Sequence, residues 1–244
     1  TRQTSTAFNR SPVSLANLRD FQAAAKTLES IAAFAPVGVT LAVDGATPKP
    51  VPAQLVTLNY FTTLGLRPSA GRFFPGRSPE TNGAYPLAVL SHALWTSEFH
   101  ADPAVVGRKI VLNASPYEVV GIAPAGFKGT TAIGDPKLLW IPLTQHRDLL
   151  SGLVEELFEQ RRFRLFNVVG RLKPDVGFEQ ADAEIRTIMS RLEREYPLDN
   201  KGRAAAVSPV NAAALGIPRE RLVLINTALL GAAGLVLLIA CVNV

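Results

Sequence analysis

The stretch Val56-Thr57-Leu58-Asn59-Tyr60-Phe61-Thr62-Thr63-Leu64-Gly65-Leu66-Arg67-Pro68-Ser69-Ala70-Gly71-Arg72-Phe73-Phe74 decides how this chain is read. Asn59 is a helix-capping residue type, and Gly65 is the type that closes a helix in a left-handed conformation. A short helix is expected between them. Tyr60 and Phe61 supply a large apolar anchor. Gly65 and Gly71 suit turns that require positive φ. These are fold-making residues, and none of them forms a catalytic constellation.

Upstream, residues 1–13 are polar and aperiodic. Ser14 can cap a helix through Leu28, with Leu15, Leu18, Phe21, Ala25 and Leu28 three to four residues apart. Val37 to Asp44 and Val51 to Leu58 flank a Gly- and Pro-containing turn, which predicts a β-hairpin. Downstream, residues 66–86 are rich in Pro, Gly and Arg and read as a long connection. Leu87 to Leu90 reads as a short buried strand, and Ser91 caps a helix bearing Leu94, Trp95 and Phe99. Asp102-Pro103 is a helix start, with Asp as N-cap and Pro at the first helical position, and Gly107 ends that helix. Lys109 to Leu112 and Tyr117 to Ile122 predict a second hairpin around Asn113-Ala114. Trp140 to Leu143 reads as a strand at a sheet edge, because of Pro142. Phe163 to Leu172 reads as another strand. Gly177 then opens a helix with Phe178, Ala181, Ile185, Ile188, Met189, Leu192 and Tyr196 on one stripe. Asp182 and Arg186 form an i,i+4 pair on it. Pro197 stops this helix, and Ala204 to Val210 reads as a final strand.

Hydrophobic residues make up 48% and charged residues 18%, a balance that excludes a disordered chain. The single cysteine, Cys241, excludes an internal disulfide framework and a Cys-based zinc site. Net charge is +5, but the cations are scattered. Their densest group, Arg161, Arg162 and Arg164, has no aromatic-lined basic run around it, so nucleic acid is not an expected partner. From Leu222 to Val244 no residue is charged, and 13 residues are Leu, Ile or Val. A helix of that length covers about 34 Å, enough for a hydrocarbon core of about 30 Å. Residues 222–244 are therefore expected to be a truncated transmembrane helix. Its small residues Ala228, Gly231, Ala232 and Gly234 would permit close helix packing. The chain lacks an initiating Met and reads as a segment of a longer protein.

Catalytic signatures are missing. His92, His100 and His146 have no metal-ligand spacing, and no GxSxG occurs. Gly121 and Gly126 have the spacing of a phosphate loop, but Phe127 stands where that loop needs Lys. Glu155, Glu156 and Glu159 precede the arginine group and read as a salt-bridged helix end rather than an acid–base pair. No enzyme activity, metal or cofactor is expected.

The order of motifs resembles the MacB-like permeases of the MacB/FtsX superfamily. Tyr60-Phe61, Gly65, Pro68, Gly71-Arg72 and Phe73-Phe74 resemble one signature of that family. Leu87 to Ser91, Trp95, Asp102-Pro103, Gly107-Arg108, Asn113 and Tyr117 to Gly121 with Pro124 and Phe127 resemble the next ones. Leu237 to Val244 looks like the opening of the family's second membrane helix, most similar to large duplicated bacterial permeases. Two departures stand out: Pro75 to Pro79 displaces the acidic residues that often follow the first signature, and Ala114 stands where a Gly often closes the hairpin. The resemblance implies an α+β, two-lobed extracytoplasmic domain. A βαβ-type lobe is split over 14–65 and 160–215, and a mixed lobe is inserted at 66–159. It also implies residues 1–221 outside a bacterial inner membrane and mechanical coupling to a cytoplasmic ABC ATPase subunit. The other implied partners are a second permease unit and a periplasmic adaptor. The implied role is export or extraction of cargo. The other reading is a membrane-anchored regulatory module recruiting a partner such as a cell-wall hydrolase.

Overall fold

The computed structural model describes residues 5–43, 47–76, 83–130, 138–150, 157–209 and residue 227. Its strands are β1 (Ser5–Val13), β2 (Leu28–Ala42), β3 (Lys49–Val56), β4 (Ala70–Gly71), β5 (Leu87–Leu90), β6 (Lys109–Leu112), β7 (Ser115–Ile122), β8 (Leu139–Pro142), β9 (Phe166–Leu172) and β10 (Val207–Pro209). Its helices are α1 (Leu15–Ala24), α2 (Tyr60–Leu64), α3 (His92–Phe99), α4 (His146–Leu149), α5 (Phe178–Glu195) and α6 (Pro197–Asn200). The strands join in one mixed sheet of order β10-β1-β9-β2-β3-β8-β5-β7-β4, with β6 bridging β2 and β7. Strands from 66–159 fill one half of this path, and strands from the flanking segments fill the other. The halves meet at the parallel β3–β8 pair and the antiparallel β2–β6 pair.

Alternation along the strands sends side chains to two covered faces. Ile31, Ala33, Leu55, Leu90, Ile141 and Val168 point to one face, under α1, α3 and α5. Ala32, Phe34, Val56, Val89, Trp140 and Val169 point to the other, under α2 and the loops around Phe74 and Phe127. Burial on both sides explains the unbroken apolar runs at Leu87–Leu90 and Leu139–Ile141.

Four expectations need correction. Residues 5–13 form β1, which pairs with β9 and β10. The helix expected through Leu28 ends at Ala24, and β2 begins at Leu28, nine residues before the expected strand. A tertiary contact accounts for the early stop. The Glu184 carboxylate on α5 accepts the N–H groups of Lys26 and Thr27, both at 2.8 Å, and also the Thr27 hydroxyl. These bonds fix the bend at residues 26–27, so that Leu28 can enter the ladder with β9. Strand β8 lies between β3 and β5 rather than at an edge. Its Pro142 is the last residue of the strand, where a missing N–H costs little. Finally, the connection expected over 66–86 contains a short strand, β4, paired with β7, while Pro197 ends α5 as expected and opens a further turn, α6.

Other expectations match the structure. Ser14 and Ser91 cap α1 and α3 through their side-chain oxygens. Of the stripe expected on α5, Ala181, Ile185, Ile188, Met189 and Leu192 form the buried face, whereas Phe178 is half-buried and Tyr196 is exposed. Asp182 pairs with Arg186 at 2.6 Å. The expected membrane helix lies outside the described residues apart from Thr227, which is helical and exposed. No helix among the described residues is long and apolar enough to cross a membrane.

Burial alone would raise the Glu184 carboxyl, but the hydrogen bonds from Thr27 and Lys26 outweigh it and hold the group below the ordinary glutamate value. A folded-state value below the unfolded one stabilises the fold above about pH 4.3 and is lost as pH falls through the folded value. The urea-midpoint gap between wild type and Glu184→Gln should therefore be largest near pH 7 and shrink towards pH 3. A gap constant across that range would refute the assignment.

Candidate functional site

The family-like stretch builds the cover of the second sheet face. Gly65 closes α2 at φ 70°, and its N–H bonds the Phe61 and Thr62 carbonyls. A Cβ there would meet the Arg171 guanidinium, whose Nε donates to the Thr63 carbonyl at 2.9 Å. Asn59 does not cap α2 with its side chain. Its amide instead donates to the Ile31 carbonyl of β2 at 2.9 Å, which ties α2 to the sheet. Tyr60 and Phe61 are completely buried. Phe61 stacks on Phe73 with centroids 4.1 Å apart, meets Trp140 edge-on at 5.6 Å, and touches Tyr60, Phe74 and Phe127. Phe127 stacks on the far side at 5.1 Å from Trp140.

A polar node that sequence reasoning missed lies beneath these rings. Gln54 on β3 is directly paired with Trp140 on β8 across the joint between the two halves. Its Oε1 accepts the Trp140 indole N–H at 2.9 Å and the Tyr60 hydroxyl at 3.4 Å. Tyr60 Oη also bonds Thr130 Oγ1 at 3.0 Å. Burial pushes the Tyr60 phenol far above its ordinary range, so it acts as a neutral hydrogen-bonding group and not as an acid or base. Gln54 Nε2 is buried without a hydrogen-bond partner among the described residues. That orphan opposes folding by about 1–3 kcal/mol, while the node selects one register at the joint. The available signal was a glutamine inside the apolar run Val51–Val56.

Gly71 and Gly121 face one another across the β4–β7 pair. A Cβ on Gly121 would run into the Arg72 carbonyl oxygen, and one on Gly71 into the Val120 carbonyl oxygen. Arg72 contributes through its backbone, with its N–H on the Val120 carbonyl at 2.8 Å, while the residue itself is exposed. Phe73 is half-buried against Phe61.

The remaining motif residues brace the other half. Asp102 Oδ1 accepts the Ala104 N–H at 2.9 Å, and Pro103 opens a single 3-10 turn. Trp95 Nε1 donates to the Asp102 carbonyl at 2.8 Å, which ties α3 to that turn. Gly107 takes φ 91° in open space, and its N–H reaches the Val119 carbonyl at 2.7 Å. Asn113 exchanges two bonds with Thr40 of β2. Its Oδ1 accepts the Thr40 N–H at 2.8 Å, and its own N–H donates to the Thr40 carbonyl at 3.0 Å. Asn113 and Ala114 both have positive φ, at 47° and 69°. A glycine is the favoured second residue of such a turn, so Ala114 carries the strain of the left-handed region.

The histidines do not converge. His92 stands edge-on to Trp95, His100 closes α3 in a left-handed conformation, and His146 is buried and stacked on Phe158 at 3.9 Å. No group of three His, Cys, Asp or Glu could hold a metal among the described residues. Glu159 pairs with Arg19 at 2.8 Å, and Arg161 pairs with Asp20 at 2.5 Å while lying over the Tyr196 ring. Glu155, Glu156, Cys241, Ala228, Gly231, Ala232 and Gly234 lie outside the described residues. Gly121 is inside β7 and opens no phosphate loop. The motif residues thus form braces at the joint and in the hairpins, and they present no convergent reactive groups.

The model of the MacB-like periplasmic core domain family matches residues 2–188. Among solved structures, the chain is similar to the periplasmic region of MacB from Actinobacillus actinomycetemcomitans. The TM-score is 0.59 at 13% identity, covering 86% of this chain and 90% of that one. It is also similar to the extracellular domain of the noncanonic ABC-type transporter YknZ from Gram-positive bacteria, with a TM-score of 0.56 at 12% identity over 84% and 99% of the two chains. A domain of a putative permease protein from Porphyromonas gingivalis gives 0.54 at 14% identity over 84% and 87%. No curated protein matches the sequence.

Proposed function

The chain belongs to the MacB-like periplasmic core domain family, and from that premise we propose that it is the extracytoplasmic domain of an ABC transporter permease. Residues 222–244 anchor it in the membrane, and ATP is hydrolysed by a separate cytoplasmic subunit. The domain passes on motion and performs no covalent chemistry. The observation that carries this reading is the continuous sheet. Both halves share it through β3–β8, the Gln54–Trp140 node and the Asn113–Thr40 exchange. Below the load that parts β10 from β1, such a sheet moves as a unit when the segments flanking β1 and β10 move.

Sidedness is the test. In the full-length protein, native cysteines including Cys241 are replaced, and one cysteine is placed at the exposed Ala101. Intact cells, with any outer membrane permeabilised, are treated with a membrane-impermeant maleimide. Labelling at the level seen after lysis is expected. Protection that disappears only on lysis would put the domain in the cytoplasm and overturn the proposal.

A further inference from the structure

A cavity of about 260 Å³ opens where the Val13 end of β1 meets the residues after α6. That end is opposite to the one where Thr6 pairs with Pro209. Phe21 of α1, Met189 of α5 and Val13 give the cavity an apolar floor, and all three are buried. Asn17 and Asn200 form one wall. Asn17 Nδ2 donates to Asn200 Oδ1 at 2.9 Å, so the pair supplies shape more than free donors. Arg164 and Arg203 supply the charge, and no acidic residue lines the cavity among the described residues.

Two carboxylates lie near the cavity, each with a partner. Glu193 accepts the Gly202 N–H at 2.7 Å, and Asp199 pairs with Arg162 at 3.6 Å. Arg164 bonds the carbonyls of Arg162 and Asp199, which are neutral groups. Burial, then the like charge of Arg203, hold its guanidinium below the ordinary range, with Asp199 offsetting this in part. Arg203 is exposed. Two guanidinium groups on a cavity lined by no described carboxylate, over an apolar floor, match an anion on a short apolar stem.

We infer that this cavity binds an organic carboxylate with a short apolar stem, the anion at Arg164 and Arg203 and the stem against Phe21 and Met189. The source of that chemistry is a free short-chain acid or the C-terminal residue of a peptide. The site stands on its own geometry and does not depend on the transport reading.

The test is equilibrium dialysis of the full-length protein in lipid nanodiscs, with empty nanodiscs as the blank. The probes are radiolabelled hexanoate for the free acid and N-acetyl-leucine for a peptide end. Saturable binding of at least one probe, one per chain, is expected, and the tighter probe identifies the source. Arg203→Gln should weaken that binding tenfold or more, as removal of a charge-assisted bond does. Arg203→Lys should weaken it less than Arg203→Gln, because the charge is kept while the planar donor fork is lost. Arg203 is exposed, so both variants should keep the wild-type unfolding midpoint. Absence of saturable binding of both probes, or wild-type affinity in Arg203→Gln, would overturn the inference.

Discussion

Phe61→Ala should lower stability by about 4 kcal/mol, within the range of large-to-small changes at fully buried rings. For a chain of this size that is a fall in the unfolding midpoint of roughly 8–16 °C. Phe61 is completely buried and meets five rings, its neighbour Tyr60 and four from three other segments. Its removal leaves a void bounded by Phe73, Phe127 and Trp140, which arrive on different loops and strands and cannot all close inward. Phe61→Leu should cost less than about 1.5 kcal/mol, since it keeps most of the volume. Urea denaturation of both variants separates the cases. A loss below about 1.5 kcal/mol for Phe61→Ala would mean that the rings cover the sheet loosely and that the motif has another purpose.

Gly121→Ala should cost about 3 kcal/mol by forcing β7 away from the Arg72 backbone. Gly121 does not need a positive φ, so the penalty is steric alone. Gly71→Ala adds backbone strain at φ 69° to its own clash with the Val120 carbonyl. Since one separation of β4 from β7 relieves both clashes, the double variant should lose clearly less than the two losses added. Gly107→Ala is the control. Its Cβ would enter open space, so only the strain of φ 91° remains, about 1–2 kcal/mol. Equal losses at Gly107 and Gly121 would show that close approach is not what glycine provides in β7.

These two sites also mark the boundary of what could be read without coordinates. Gly65, the Ser91 cap, Asp102-Pro103, the Asn113-Ala114 hairpin and the α5 stripe were legible because each is decided within a few residues by capping, turn or periodicity. The strand at Ser5–Val13 was not. Its partners, β9 and β10, come from about 160 or more residues further along the chain. The first half of β2 was hidden for a similar reason, since Glu184 on α5 fixes the bend just ahead of it. Pro142 suggested an edge, and only the register with Val56 shows it ending a central strand. The aromatic cover was half legible: Tyr60 and Phe61 were singled out, whereas Gln54 and Trp140 became a pair only through the β3–β8 register.

The three-rung pairing of β1 with β10, from Thr6–Pro209 to Phe8–Val207, has a mechanical consequence. Because the pair is antiparallel, the backbone enters β1 and leaves β10 at the same end. Tension that draws those two points apart is not shared among the rungs. It falls on Thr6–Pro209 first, then on the next, as in a zipper. Strand β1 is held on its other side by the longer ladder with β9, from Ser5–Arg171 to Val13–Phe166. The weakest element under such a load is therefore β10, which can peel while the rest of the sheet keeps its shape. The edge behaves as a fuse with a low breaking force, in series with a plate that does not bend.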